Sequence, residues 1–406
     1  MRKFYSNFTK ANQLLDGNVS IYLDLVRGIS AILVVMEHLS SRLFVGYGYL
    51  ESPNLLVKFI YLLNFLGNPS VIIFFVLSGL FISRSVLKAV YENKWSWQSY
   101  FIHRLSRLFV VLIPALLLTF ILDNIAVYFF GYKGYENIIN NLKEFIGNLF
   151  FLQNILVGFY GSNAPLWSLS FEFWYYMLFP LLLGVFIKQR KVSKLTYLLL
   201  SLGIITTIGI SMNSYFTIWL IGTFVLLSPK INFFTQRFFS ILALLLLFIA
   251  MPVHPLVMTG RLFADKQLKD LMDLFGVNLF IGLAFGFLIY TLLHGKSNKR
   301  NVNLIWLGKL SKLIASFSFS LYLIHYPIIN TIYYWCAKNG FSGLQPNITS
   351  VLVEMFIVLL ICLIAFLFSK YTEAKTHIVR KYLETKITLY ILSHRNRALN
   401  KQKEVG

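Results

Sequence analysis

The sequence predicts an all-α polytopic membrane protein with about ten transmembrane helices and both termini in the cytoplasm. Three observations predict it. The 406 residues are 57% hydrophobic and only 13% charged, about half the roughly 25% charged share of a soluble domain. Apolar runs of bilayer-crossing length recur along the whole chain. The basic residues fall mainly between those runs. A net charge of +21 would ordinarily suggest nucleic acid. Their placement follows the positive-inside rule instead, so the expected partner is the lipid bilayer and not nucleic acid.

Residues 1–20 are polar, and no small-residue cleavage site follows the first apolar run, so that run is expected to remain as a spanning helix. Candidate spans lie at 21–44, 69–88, 107–130, 166–187, 195–211, 214–228, 238–253, 275–293, 315–336 and 348–368. Only Met212 and Asn213 separate the fifth from the sixth, which predicts a tight hairpin. Stretches 55–66 and 144–157 are apolar but short, as interfacial or re-entrant segments are. With the N-terminus inside, cytoplasmic segments hold 28 of the 37 Lys and Arg residues and the outer segments hold 8, Arg27 being within the first span. That imbalance orients the chain N-in and C-in, and it requires an even number of spans. The chain thus divides into a cytoplasmic N-terminus (1–20), a transmembrane domain (21–373) and a basic cytoplasmic tail (374–406). The tail suits an amphipathic helix on anionic lipid, although a solvated tail that fixes topology is the simpler expectation.

Ionisable groups inside such spans are expensive and default to function. In Ile21-Tyr-Leu-Asp24-Leu-Val-Arg27-Gly28…Glu37-His38, His38 lies eleven positions after Arg27. Eleven steps of ~100° return almost to the same helix face, roughly 16 Å further along. Asp24, three residues before Arg27, is its expected ion-pair partner. Glu37 projects about 100° from His38 and is expected to meet a different group. In Leu166-Trp167-Ser-Leu-Ser-Phe-Glu172, a lone acid in an aromatic span needs a partner. Its depth matches that of His38, so the two are expected to pair, the carboxylate orienting the imidazole. Arg104 and Arg107, at i and i+3 near the start of the third span, could grip a phosphate by forked hydrogen bonds, although topology alone also wants positive charge there. Ser78-Gly79 thins the second span, and such a pair is more often a packing notch than a ligand surface. In Ser318-Phe-Ser-Leu-Tyr322-Leu-Ile-His325-Tyr-Pro327, His325 lies near mid-membrane beside a helix-bending proline. Interhelical hydrogen bonding is the structural alternative for both histidines. Cys336 and Cys362 have no metal-ligand spacing, and no metal site is expected.

Together these blocks resemble the membrane acyltransferase-3 family, bacterial integral-membrane enzymes that acylate cell-surface glycans. Leu23-Asp24-Leu-Val-Arg27-Gly28, with ten residues between Arg27 and His38, resembles the family's opening signature. Phe74-Phe-Val-Leu-Ser78-Gly79, Arg104-Leu-Ser-Arg107, Trp167-Ser-Leu-Ser-Phe-Glu172 with Phe179-Pro180, and Ser318 to Pro327 resemble four later blocks, in the family's order. Glu37 and Phe173 depart from the usual neighbours of the histidine and the glutamate. No segment resembles the extracytoplasmic hydrolase-like domain that some members append.

The resemblance implies transfer of an acyl group, by family frequency acetyl, from cytoplasmic acyl-CoA to a hydroxyl of an extracytoplasmic glycan, in a bacterial cytoplasmic membrane. Acyl-CoA is then a co-substrate, and no bound cofactor is implied. His38 and Glu172 take the catalytic roles. Arg27, Arg104, Arg107, Ser78 and Gly79 bind the donor. Asp24, Trp167, Tyr322 and His325 support the site or the acceptor. Both a general-base role for His38 and a covalent acyl-histidine relay fit these residues. On physics alone, a transporter or flippase of lipid-linked glycan also suits many spans with buried charge, although no internal repeat is visible. A structural membrane subunit would not need the clustered acid, base and arginines. The acceptor sugar and the oligomeric state are not encoded in any motif.

Overall fold

The computed structural model describes residues 2–51, 54–132, 142–187, 193–230, 236–258, 265, 276–294, 302–387 and 389–390. Among them the chain is helical, with two isolated β-bridges and no strand. The helices are α1 (Arg2–Leu15), α2 (Asn18–Leu43), α3 (Leu55–Asn64), α4 (Gly67–Tyr91), α5 (Trp97–Phe130), α6 (Leu142–Leu149) and α7 (Leu166–Phe186). They continue as α8 (Lys194–Leu227), α9 (Gln236–Met258), α10 (Asn278–His294), α11 (Val302–Ala315), α12 (Ser318–Lys338) and α13 (Ile348–Tyr371). Among the described residues, six helical runs are long and apolar enough to cross a membrane, and a seventh is if α11 and α12, bent by 47°, form one broken span.

The expected count of about ten is not reached on that measure. The regions predicted as 238–253 and 275–293 fall on α9 and α10, where the described apolar stretches, Phe238–Ala250 and Asn278–His294, are shorter. Spans 195–211 and 214–228 form one helical run broken at Gly209, whose φ of 74° and ψ of 174° are non-helical. Only a residue without Cβ takes that conformation cheaply. Asn213 Nδ2 reaches back to Ile205 O and Gly209 O at 2.8 Å each, satisfying carbonyls that the break frees. The first limb begins with Tyr197 against Gly184 and Trp97, and the break lies near Tyr175, whose hydroxyl donates to Met212 O. The second limb then follows α4, Tyr215 on Phe75 and Trp219 on Gly79. So the expected reversal is present, three residues earlier than Met212.

α4 is the central post. Most of its apolar residues are buried, and it packs against α2, α7, α8 and α10. α5, α8 and α13 instead expose rows of large apolar side chains, such as Leu117, Ile121, Leu199, Phe356 and Leu359, suited to lipid. α2 is gripped by α4, α11, α12 and α13.

Two prolines kink helices next to the cavity described below. Pro180 has no N–H to give Tyr176 O, and Tyr100 Oη donates there at 2.9 Å. Pro327 likewise leaves Leu323 O free, and Asn163 Nδ2 donates to it at 2.9 Å. The segment 150–165 that carries Asn163 is itself tied down by Asp123, which accepts from Ser162 N at 2.7 Å. Of the predicted tail, residues 376–387 are helical, and Glu384 meets His103 of α5 at 3.2 Å. Most of the remainder lies outside the described residues.

Candidate active site

A cavity of about 480 Å³ opens between α2, α4, α5, α7 and α12, beside the end of α1. Four arginines line it: Arg27, Arg84, Arg104 and Arg107. Asp16, Asp24 and Glu172 supply the carboxylates.

Arg27 and Asp24 pair at 3.2 Å, as their spacing predicts. Arg27 Nη2 also donates to Ala315 O at 3.4 Å, at the end of α11, while its Nε is buried without a partner among the described residues. Arg104 donates to Ser85 Oγ and lies over the rings of Tyr100 and Tyr176 at 5.4 and 5.9 Å. Its Nε is equally unpartnered. Arg107 is exposed on the cavity. The sequence suggested that this pair stands near a helix start. The helix in fact begins at Trp97, where Ser96 Oγ caps Ser99 N at 3.4 Å, so both arginines lie two turns or more inside α5. They contribute charge and forked donors without help from a helix N-terminus.

Glu172 accepts hydrogen bonds from Ser78 Oγ at 2.9 Å and from Tyr176 Oη. Trp219 Nε1 in turn donates to Ser78 Oγ at 3.1 Å. The carboxylate therefore joins α4 and α7, and through Trp219 α8. Among the described residues it makes no hydrogen bond to His38, contrary to expectation; the ring that meets His38 is His325 of α12. Gly79 takes the packing role that the residue reading favoured over the donor-binding one that the resemblance implies. A Cβ there would run into the backbone of Trp219, so this glycine lets α4 and α8 approach and does not line the cavity. Trp167 is outside the lining too, packed among Phe75, Phe171 and Tyr215 at 5.0–6.1 Å between ring centroids.

Tyr322 lines the cavity, its hydroxyl 2.6 Å from Ser168 Oγ. Its ring lies 5.9 Å from that of His325, which is fully buried. His325 Nδ1 is 2.8 Å from Tyr322 O and 3.1 Å from Leu321 O. Carbonyls only accept, so the proton belongs on Nδ1 and the lone pair on Nε2, which is buried and unpartnered among the described residues. His38 stacks on this ring at 5.3 Å and 23°. The edge of Tyr326 meets His38 at 4.8 Å. Beyond lies Arg42, 3.5 Å from Tyr326 Oη and 5.1 Å above the ring of Tyr333. An arginine-lined cavity thus adjoins, by way of Tyr322, a pair of stacked imidazoles that lie outside its lining, with an aromatic and cationic surround.

Glu37 has a plain role: its Oε2 accepts from Asn68 N at 2.7 Å, a carboxylate at the N-terminal end of α4. Sequence reasoning missed Arg84, Arg42, Tyr326 and Glu354. Arg84 and Glu354 are ionisable groups within predicted spans, a signal that was legible. Glu354 is buried and accepts from Ser40 Oγ on α2. Arg42, within the predicted first span, carried the same signal, whereas Tyr326 carried none, because only packing between helices brings it beside His38.

A family model described as an acyltransferase domain matches residues 20–368. An uncharacterized protein of Haemophilus influenzae is 28% identical over 158 residues, covering 35% of this chain and 61% of that protein, less than two thirds of its length. No solved structure matches the chain.

Proposed function

We propose a reaction for this membrane protein, which belongs to the acyltransferase family matched above: transfer of an acetyl group from cytoplasmic acetyl-CoA to a hydroxyl of an extracytoplasmic glycan in the bacterial inner membrane. The observation that carries it is the succession of groups along one path. Arginines suited to a polyanionic nucleotide line one cavity, and Tyr322 of that lining is in ring contact with buried His325, on which His38 stacks.

Arg27, Arg104 and Arg107 hold the donor phosphates by charge-assisted hydrogen bonds. The pantetheine arm lies along Ser78 and Phe74 toward Tyr322, roughly the 16 Å that separates Arg27 from His38 along α2. His38 takes the proton of the acceptor hydroxyl as its oxygen attacks the thioester carbonyl. The C–S bond then breaks, and the thiolate recovers the proton from the imidazolium. His325, its proton held on Nδ1 by two carbonyls, sets the ring of His38 by stacking. Glu172 positions Ser78 and Tyr176 along the arm and does not touch the base. Tyr326, Tyr333 and Arg42 offer the ring faces and donors that a sugar needs. An acyl-histidine relay uses the same groups with two successive transfers.

The test is transfer of label from radiolabelled acetyl-CoA to purified cell-surface glycan by the protein in detergent. His38→Ala should lower transfer on the order of a hundredfold or more. Full activity in that variant would remove His38 from the chemistry. Movement of lipid-linked glycan across vesicles without acylation would make the protein a flippase instead.

A further inference from the structure

We propose that Arg84 is a fourth phosphate-binding residue of the donor cavity, and that the Asp16 carboxylate holds its place until a donor phosphate displaces it. This rests on the reading of the cavity as the acyl-CoA site. Arg84 lies near the end of α4 and lines the cavity with the other three arginines. Its Nη2 meets Asp16 Oδ1 at 2.6 Å. The two partners are unequal: the Arg84 side chain is 18% exposed and that of Asp16 is 67% exposed. An exposed carboxylate gains little from such a pair and leaves it cheaply.

The guanidinium does not depend on Asp16 for its position. Arg84 Nε donates to Asn12 Oδ1 at 2.7 Å, and Nη2 donates to Asn12 O at 3.1 Å. Asn12 is itself held, because α1 docks through buried Phe8, Ala11 and Leu15, with Phe8 against Tyr91 at 5.0 Å between ring centroids. Asp16 lies beyond the last residue of α1, in a turn whose N–H groups bond back to Gln13 O and Leu14 O. It can therefore swing aside without moving α1.

Leu15, Asp16 and Ser20 all border the cavity, so this carboxylate sits on its rim. With Asp16 in place, the lining carries four arginines against three carboxylates. With Asp16 withdrawn, two positive charges are left uncompensated for a polyphosphate, and the guanidinium edge that bound a carboxylate oxygen suits a phosphate oxygen equally.

The test is calorimetric titration of CoA into the full-length protein in detergent, for wild type, Asp16→Asn, Arg84→Gln and the double variant. Asp16→Asn should bind CoA about threefold to tenfold more tightly than wild type. Arg84→Gln should bind about tenfold more weakly. The double variant should match Arg84→Gln, because the carboxylate then has no guanidinium to release. If wild type binds CoA and Asp16→Asn binds no more tightly, the displacement idea fails. A lowered melting temperature for Asp16→Asn with an unchanged Kd would overturn it too, leaving Asp16 as a tie for α1. If wild type binds no CoA at all, the donor reading fails, and that result is separate from the other two.

Discussion

At the scale of single residues, the histidine pair depends on groups that are not histidines. Pro327 takes a donor from Leu323 O, and Asn163 restores it from a segment 160 residues earlier in the chain. Replacing Asn163 with Ala leaves that carbonyl buried and unpaired, a loss of about 1–3 kcal/mol. The expected result is a lower melting temperature and a reduced kcat with CoA binding unchanged, since Asn163 supports α12 beside His325 and lies outside the arginine end of the cavity. A Kd for CoA that rises in step with the lost activity would sink that assignment. Which residues matter was partly legible. The depth of a residue in a bilayer follows from counting along a span, so Arg27, His38, Glu172 and His325 could be picked out. Which helix faces which could not be counted. Glu172 is expected to pair with His38 because their depths agree, whereas it bonds Ser78 and Tyr176, and His38 stacks on His325 of α12.

At the scale of elements, the close approach of α4 and α8 is the tightest packing near the site. Gly79→Ala would push a methyl group into the backbone of Trp219, and backbone cannot rotate away. Overpacking of this kind costs about 1–3 kcal/mol or more. Thermal unfolding in detergent should show a large drop for Gly79→Ala. The control is Gly203→Ala, in the same α8, where nothing lies within 4 Å and no drop is expected. Equal melting temperatures for the two would show that the helices separate freely. The apolar runs were readable because lipid demands them, and the helical breaks were less so. α5 starts at Trp97, well before its apolar run, because Ser96 caps a polar first turn and helix continues beyond the hydrophobic stretch. The reversal in α8 falls at Gly209, where φ must be positive, and not at the more polar Met212-Asn213. The 47° bend between α11 and α12 had no proline or glycine to announce it.

At the scale of the whole molecule, the four arginines and the docked α1 gather at one end of the bundle, and His38, Arg42 and Tyr326 lie toward the other. Asn93 precedes α5 at the first end. Lys338 donates to Phe129 O near the last residue of α5, so the neighbouring Asn339 marks the second end. Both asparagines are exposed. In a protein with Cys336 and Cys362 changed to Ser, Asn339→Cys should react with a membrane-impermeant maleimide on intact cells, and Asn93→Cys only after permeabilisation. The opposite pattern would invert the donor and acceptor sides.

The grip on α2 has a consequence in time. Its partners arrive late: Ser40 bonds Glu354, 314 residues downstream, and His38 stacks on His325. At synthesis rates of about 5–20 residues per second, 314 residues take roughly 16 to 63 s. For that interval the nascent first helix carries its acid, imidazole and hydroxyl groups without the helices that later cover them. The histidine pair is therefore among the last parts of the molecule to be completed, although His38 is made long before His325.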